Sequence, residues 1–248
     1  MRVSRKKKSH SRFPRRRPHH PIENNDSVKG EWLRDAILGG QDGLVNTLGL
    51  ILGVATATQD ARLVIIAGLA AMFAEGISMG AVAYTSSKAA QEYYDKERRR
   101  EMQEIDHFPD EEKAEVRSIY RAKGFTGKHL EYIVTKITAN RARWLDTMMQ
   151  EELKIFPERQ SPLRSGILVG IAAHVGAIFP LFPFFFFPVS MAVPISLLFS
   201  LLVLFLAGAW KGKFTKVPWW RSGLELALIG GLAALVGYLI GAWFGAHG

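Results

Sequence analysis

The chain has 248 residues, is 48% hydrophobic and carries a formal net charge of +9. It has no cysteine, which excludes disulfides and thiolate metal sites, so any metal must be held by carboxylate, imidazole, thioether or backbone oxygen. Long apolar blocks alternate with charged segments, the pattern of a polytopic membrane protein.

Residues 1–33 read as a basic, disordered cytoplasmic tail, drawn to anionic lipid. No apolar stretch follows the first charges as a secretory signal would require. Phe13 is the one aromatic within the basic run, too sparse for a stacking surface, so no nucleic-acid partner is expected.

Hydropathy predicts five transmembrane helices, at about 34–58, 61–87, 166–187, 189–210 and 222–246. Each approaches the roughly 20 residues that cross a bilayer. Pro180 and Pro183 should kink or end the third. The fold class is therefore all-α, with residues 34–87 and 165–248 in the membrane and 88–164 forming a small helical insert. All but one of the 32 Lys and Arg fall on one side of this arrangement, the exception being Arg62. The positive-inside rule then places the N-terminus and insert in the cytoplasm and the C-terminus outside or in a lumen.

Span one carries Asp42 and Asn46 on one face, and span two carries Glu75 and Met79 four apart. An acidic residue at the bilayer centre costs roughly 2.5–3.5 kcal/mol on insertion scales. No Lys or Arg within the spans is placed to neutralise these two, so a proton or a cation must, unless the carboxyls serve only to hydrogen-bond helices together. Small residues, among them Gly39, Gly43, Gly49, Gly53, Gly68, Gly76 and Gly80, predict close packing of spans one and two. His174 reads as a hydrogen-bonded packing residue, and Glu225 as a residue near the interface.

The insert begins as an extension of span two, unbroken until Pro109. A second helix is predicted from Asp110 to near Gly124, a third from Thr126 to Asn140, and a fourth from Arg141 to Phe156. Glu101 and Glu104 share one helix face, Glu112 and Glu115 another, and Met148 and Met149 precede Glu152 by one turn. Converging, these would make a carboxylate cluster edged by thioethers, suited to Fe²⁺ or Mn²⁺. Spacing alone favours the plainer reading of solvated glutamates and core methionines. A di-iron carboxylate enzyme would favour Glu-x-x-His, whereas the spacing here is Glu-x-x-Glu. A sensor that binds metal without moving it would leave Asp42 and Glu75 without a purpose.

The segments LRDAILGGQDGLVNTLGLILGV, GISMGAVAY, EMQEIDHFPDEEKAEV and WLDTMMQEEL, in this order, resemble the vacuolar iron transporter family. The resemblance runs from Leu33 to Gly248 and rests more on hydropathy than on motif in the last spans. It implies a homodimer with five spans per subunit and a path between subunits lined by spans one and two. It further implies proton-coupled antiport that moves Fe²⁺ out of the cytoplasm; the ligand set by itself leaves Mn²⁺, Zn²⁺ and Co²⁺ open as other ions. It assigns Asp42 and Met79 to the pathway, and Glu101, Glu104, Glu112, Glu115, Met148, Met149 and Glu152 to cytoplasmic metal binding. The membrane would be the plasma (inner) membrane in a prokaryote and the vacuolar membrane in a eukaryote. Plant members carry a glutamate at the position of Ala71, where this chain instead has Glu75 one turn on.

Overall fold

The structure is a computed structural model that describes residues 24–157 and 161–246, with side chains from residue 30 onward. The predicted tail lies largely outside the described residues. All regular structure among them is helical: α1 (Asn24–Thr58), α2 (Ala61–His107), α3 (Pro109–Ala122), α4 (Gly127–Thr138), α5 (Arg141–Thr147), α6 (Pro162–Leu181), α7 (Val189–Thr215) and α8 (Trp219–Gly245). A π-helical turn, Met148–Glu152, follows α5, and a 3₁₀ turn, Phe182–Phe185, follows α6.

Five helices, α1, α2, α6, α7 and α8, are long and apolar enough to cross a membrane. Their outward faces carry Ile171, Leu198, Leu202, Leu206, Leu228 and Leu239, all largely exposed. That surface would be a liability in water and is what lipid requires. Trp219 and Trp220 stand at the start of α8, with the Arg221 guanidinium 5.1 Å from the Trp220 ring centre, an arrangement suited to a headgroup boundary.

The helix ends follow from the sequence. Asp60 caps α2, its carboxylate accepting from the backbone N–H of Arg62 at 2.8 Å and of Leu63 at 3.3 Å. Pro180 sits in the last turn of α6, and the chain tightens into the 3₁₀ turn around Pro183. Pro109 occupies the first turn of α3, so that helix starts one residue before the predicted cap at Asp110, which lies inside its first turn. Asn140 caps α5 by accepting from Arg143 N–H at 3.0 Å. The predicted fourth helix of the insert is shorter than expected, because α5 gives way at Met148 to the wider π turn, closed by Leu153 N–H donating to the Met148 carbonyl.

The small residues do not chiefly join α1 to α2. Instead α6 wedges against both. Gly39 and Gly43 of α1 meet Val169 and Ala173 of α6, while Gly76 and Gly80 of α2 meet His174, Gly166 and Gly170. Gly49 and Gly53 of α1 pack on Ala233 and Gly237 of α8. Spans α1 and α2 do touch, at Gly68 and Ile51 and through Asn46 and Glu75, but most of the glycine faces point at α6 and α8, whose own small residues accept them.

The C-terminal part of α2 leaves the bundle and, with α3, α4, α5 and the π turn, makes a separate helical unit. Its core holds Ile105, Val116, Leu130, Val134, Ile137, Trp144, Leu145, Met148 and Met149. Arg117 and Glu131 clamp α3 to α4 through two bonds of 2.8 and 3.0 Å. Arg141 pairs with Asp106, tying α5 back to α2.

Candidate metal centre and membrane seam

Two groups of functional side chains emerge. The first lies in the helical unit. Glu101, Glu104 and Glu112 each offer a carboxylate oxygen, and these oxygens lie within 4.8 Å of one another. Helix periodicity aligns Glu101 with Glu104 on α2, and α3 brings Glu112 across from them. Glu101 is only 2% exposed and Glu112 6%. With both ionised, Glu101 Oε1 and Glu112 Oε2 are buried with no hydrogen-bond partner. Two such acceptors require either a shared proton or a cation.

Their titration reflects that tension. Burial, then a hydrogen bond and negative charge from Glu112, push Glu101 up to about 8. Burial likewise raises Glu112, with Glu115 and Glu104 adding repulsion and the bond to Glu101 opposing it. Glu152 keeps an exposed edge yet is pushed up to about 7, by partial burial and then by Glu115. Glu115 is exposed and faces Glu152 rather than joining the tight trio. The five carboxylates thus form one acidic patch with a buried centre, and oxygen donors in this number suit a divalent cation.

Met148 and Met149 are both buried in the apolar core. That core includes Ile105 and Val116, one turn from Glu101 and Glu112 respectively. All three stand in the π turn, where the two methionines are buried and Glu152 is exposed.

The second group lies on the open side of α1 and α2, where Asn46 is exposed and Asp42 and Glu75 are half-buried. Asn46 Nδ2 donates to Asp42 Oδ1 at 3.2 Å along α1, and to Glu75 Oε1 at 2.5 Å across to α2. These three residues make a polar seam between two spans. Met79, one turn beyond Glu75, lines a separate cavity of about 330 Å³ with Arg34, Asp35, Ser86, Ser87 and Ser165. Asp35 is 2% exposed, accepts from Ser165 Oγ at 2.7 Å and pairs with Arg34 at 3.2 Å. Sequence reasoning passed over Asp35, although it lies seven residues before Asp42 and so on the same face of α1. It also passed over Glu97, 4% exposed and one turn before Glu101.

His174 packs its ring over Gly76, with Nδ1 2.7 Å from the Gly170 carbonyl oxygen. That is the packing residue expected. Glu225 meets Lys211 at 3.3 Å near the α7–α8 turn.

A bundle of five apolar helices, with a carboxylate seam between two of them and an acidic unit built on one of the same helices, is the architecture of a polytopic membrane protein. The VIT family model matches residues 33–242, and the chain belongs to that family. It is 35% identical over 213 residues to Vacuolar iron transporter 1 of Arabidopsis thaliana, covering 85% of each chain. It is 35% identical to the vacuolar iron transporter of Centaurea cyanus, over 84% of this chain and 86% of that one. A vacuolar iron transporter of Plasmodium berghei is 29% identical over 96% of this chain and 90% of its own. These relatives carry the names of transporters rather than enzymes, and membership of the family makes metal-ion transport across a membrane the class of activity.

Proposed function

We propose that this protein exports Fe²⁺ from the cytoplasm in exchange for protons, working as a homodimer. The observation that carries the reading is the Asp42–Asn46–Glu75 seam, which places two carboxylates between apolar spans with only an amide linking them. A carboxylate there holds a proton or a metal, and mutually exclusive occupancy is the simplest basis for exchange. Asp42, Asn46, Glu75 and Met79 form the path. Glu101, Glu104, Glu112, Glu115 and Glu152, with Met148 and Met149 behind them, collect the ion from the cytoplasm. Residues 88–164 are the collecting domain, residues 34–87 and 165–248 the membrane domain, and residues 1–33 a cytoplasmic tail.

Support comes from four directions. The buried acceptors of Glu101 and Glu112 require a proton or a cation. Nearly all Lys and Arg fall on the side of the helical unit, and by the positive-inside rule this supports a cytoplasmic helical unit with the C-terminus opposite. The exposed apolar residues Leu38 and Leu50 of α1 and Phe73, Ile77 and Val82 of α2 suit a partner subunit that would enclose the seam. The relatives are named for iron, and the hard oxygen donors here accept Mn²⁺ as well.

The test is Fe²⁺ flux into proteoliposomes under an imposed pH gradient, with metal and lumenal pH followed together. Uptake that depends on the gradient and dissipates it supports the exchange. Binding without flux, by folded and correctly inserted protein, would leave a sensor or a di-iron enzyme in its place.

A further inference from the structure

Arg100 lies between the acidic patch and a carboxylate outside it. Its Nη1 is 2.7 Å from Glu97 Oε2, and its Nε is 3.6 Å from Glu104 Oε2. Glu97 is the better anchor: its side chain is 5% exposed, while that of Glu104 is 39% exposed. Lys96 adds a second, looser contact to Glu97 at 3.9 Å. Glu97, Arg100 and Glu104 run along α2 at spacings of three and four residues, so the guanidinium reaches both carboxylates without rearranging the helix. Glu104 is one of the three groups whose oxygens converge within 4.8 Å.

We propose that Arg100 is a built-in competitor for the metal centre, anchored on Glu97 and sharing its charge with Glu104 while the centre is empty, and giving up Glu104 to remain on Glu97 alone when a divalent ion arrives. The inference rests on the metal-binding reading of Glu101, Glu104 and Glu112. Glu97 is then a positioning residue: it touches no metal and sets affinity by giving the displaced guanidinium a place to go. An intracellular collector benefits from such tuning, because an ion held too tightly is not passed on. The competition also favours ions of higher charge density over monovalent cations, which cannot displace a guanidinium from a carboxylate as effectively.

Removing the competitor and removing its refuge should act in opposite directions. In full-length protein in detergent, titrated calorimetrically with Co²⁺, Arg100→Gln should tighten binding and Glu97→Gln should weaken it. Each change should be about two- to fivefold, the scale of a partly exposed ion pair. The double variant should match Arg100→Gln, because Glu97 acts only through Arg100. Arg100→Lys should stay near the unaltered affinity, and the Arg100→Gln difference should shrink as salt is raised. Shifts of the same sign in the two single variants, or no shift in either, would overturn the competitor role. Binding that survives a Glu101→Gln/Glu112→Gln double variant unchanged would instead remove the metal centre itself, and this inference with it.

Discussion

The Asn46 side-chain amide bridges α1 and α2, donating to Glu75 Oε1 at 2.5 Å from a position 29 residues earlier in the chain. The same nitrogen reaches Asp42 at 3.2 Å. One neutral amide, with two N–H groups, thus serves two acids. Asp42→Asn would keep the side-chain volume and remove one ionisable site. Proton-driven Fe²⁺ flux should fall more than about tenfold, a change of about 1.4 kcal/mol or more in the barrier. Co²⁺ binding by the helical unit should be unchanged. Flux at the unaltered rate would take Asp42 off the path.

The acidic patch predicts a pH dependence whose sign is fixed by its raised carboxyls. Glu101, at about 8, holds its proton in the folded protein over a range where the unfolded chain has lost it. The metal-free unit is therefore most stable near and below pH 4.5 with respect to this group, and loses stability as pH rises toward 8. Glu101→Gln removes that penalty. Without metal at pH 8 it should raise the unfolding temperature by roughly 2–4 °C per kcal/mol relieved. It should also abolish stabilisation by Co²⁺. A lower unfolding temperature at pH 8 would contradict the buried, protonated state of Glu101.

Metal entry should release protons at neutral pH, since Glu101 and Glu152 titrate at about 8 and about 7. Calorimetry of Co²⁺ binding in buffers of different ionisation enthalpy should show this release at pH 7 and a smaller one at pH 9. Equal heats in all buffers at pH 7 would exclude it.

Met148 and Met149 permit a separation of packing from ligation. Leucine is close in volume, and such exchanges usually cost less than about 1.5 kcal/mol. A Met148→Leu/Met149→Leu variant should fold normally. If sulfur reaches the ion, Fe²⁺ and Co²⁺ affinity should drop about tenfold while Mn²⁺, the harder ion, is affected less. Unchanged affinity for all three ions would make these residues core fillers alone.

The wedge of α6 is testable through one glycine. A Cβ at Gly43 would strike the Ala173 carbonyl oxygen, a backbone atom that has no rotamer to adopt. Gly43→Val should destabilise the bundle by roughly 1–3 kcal/mol. Gly40→Val, where only ordinary contact with the Ala172 carbonyl is met, should cost less. Equal unfolding temperatures for the two variants would argue against the observed α1–α6 approach.

Much of the architecture was legible because it is written locally. Apolar runs marked the five spans, and the predicted starts at Asp110, Thr126 and Arg141 fall within a residue of those of α3, α4 and α5. Glutamates three apart announced Glu101 with Glu104, and Glu112 was brought to them as spacing allowed. What stayed hidden depends on long-range packing. Small residues at Gly39, Gly43, Gly76 and Gly80 reveal that some helix comes close, but not that it is α6. The π turn at Met148 is a one-residue widening that no propensity signals. Glu97 reads as one more charge on a highly charged helix until its burial is seen.

The unbroken course of α2 has a mechanical consequence. Glu75 and Glu101 ride on one continuous helix, about 40 Å apart at roughly 1.5 Å per residue. A stiff rod of that length transmits rotation: a tilt of about 10° pivoting at Glu75 would sweep Glu101 through about 7 Å. Rearrangement at the seam would therefore be felt as a swing of the acidic patch, and loading of the patch would in turn bias the angle at which α2 crosses the bilayer.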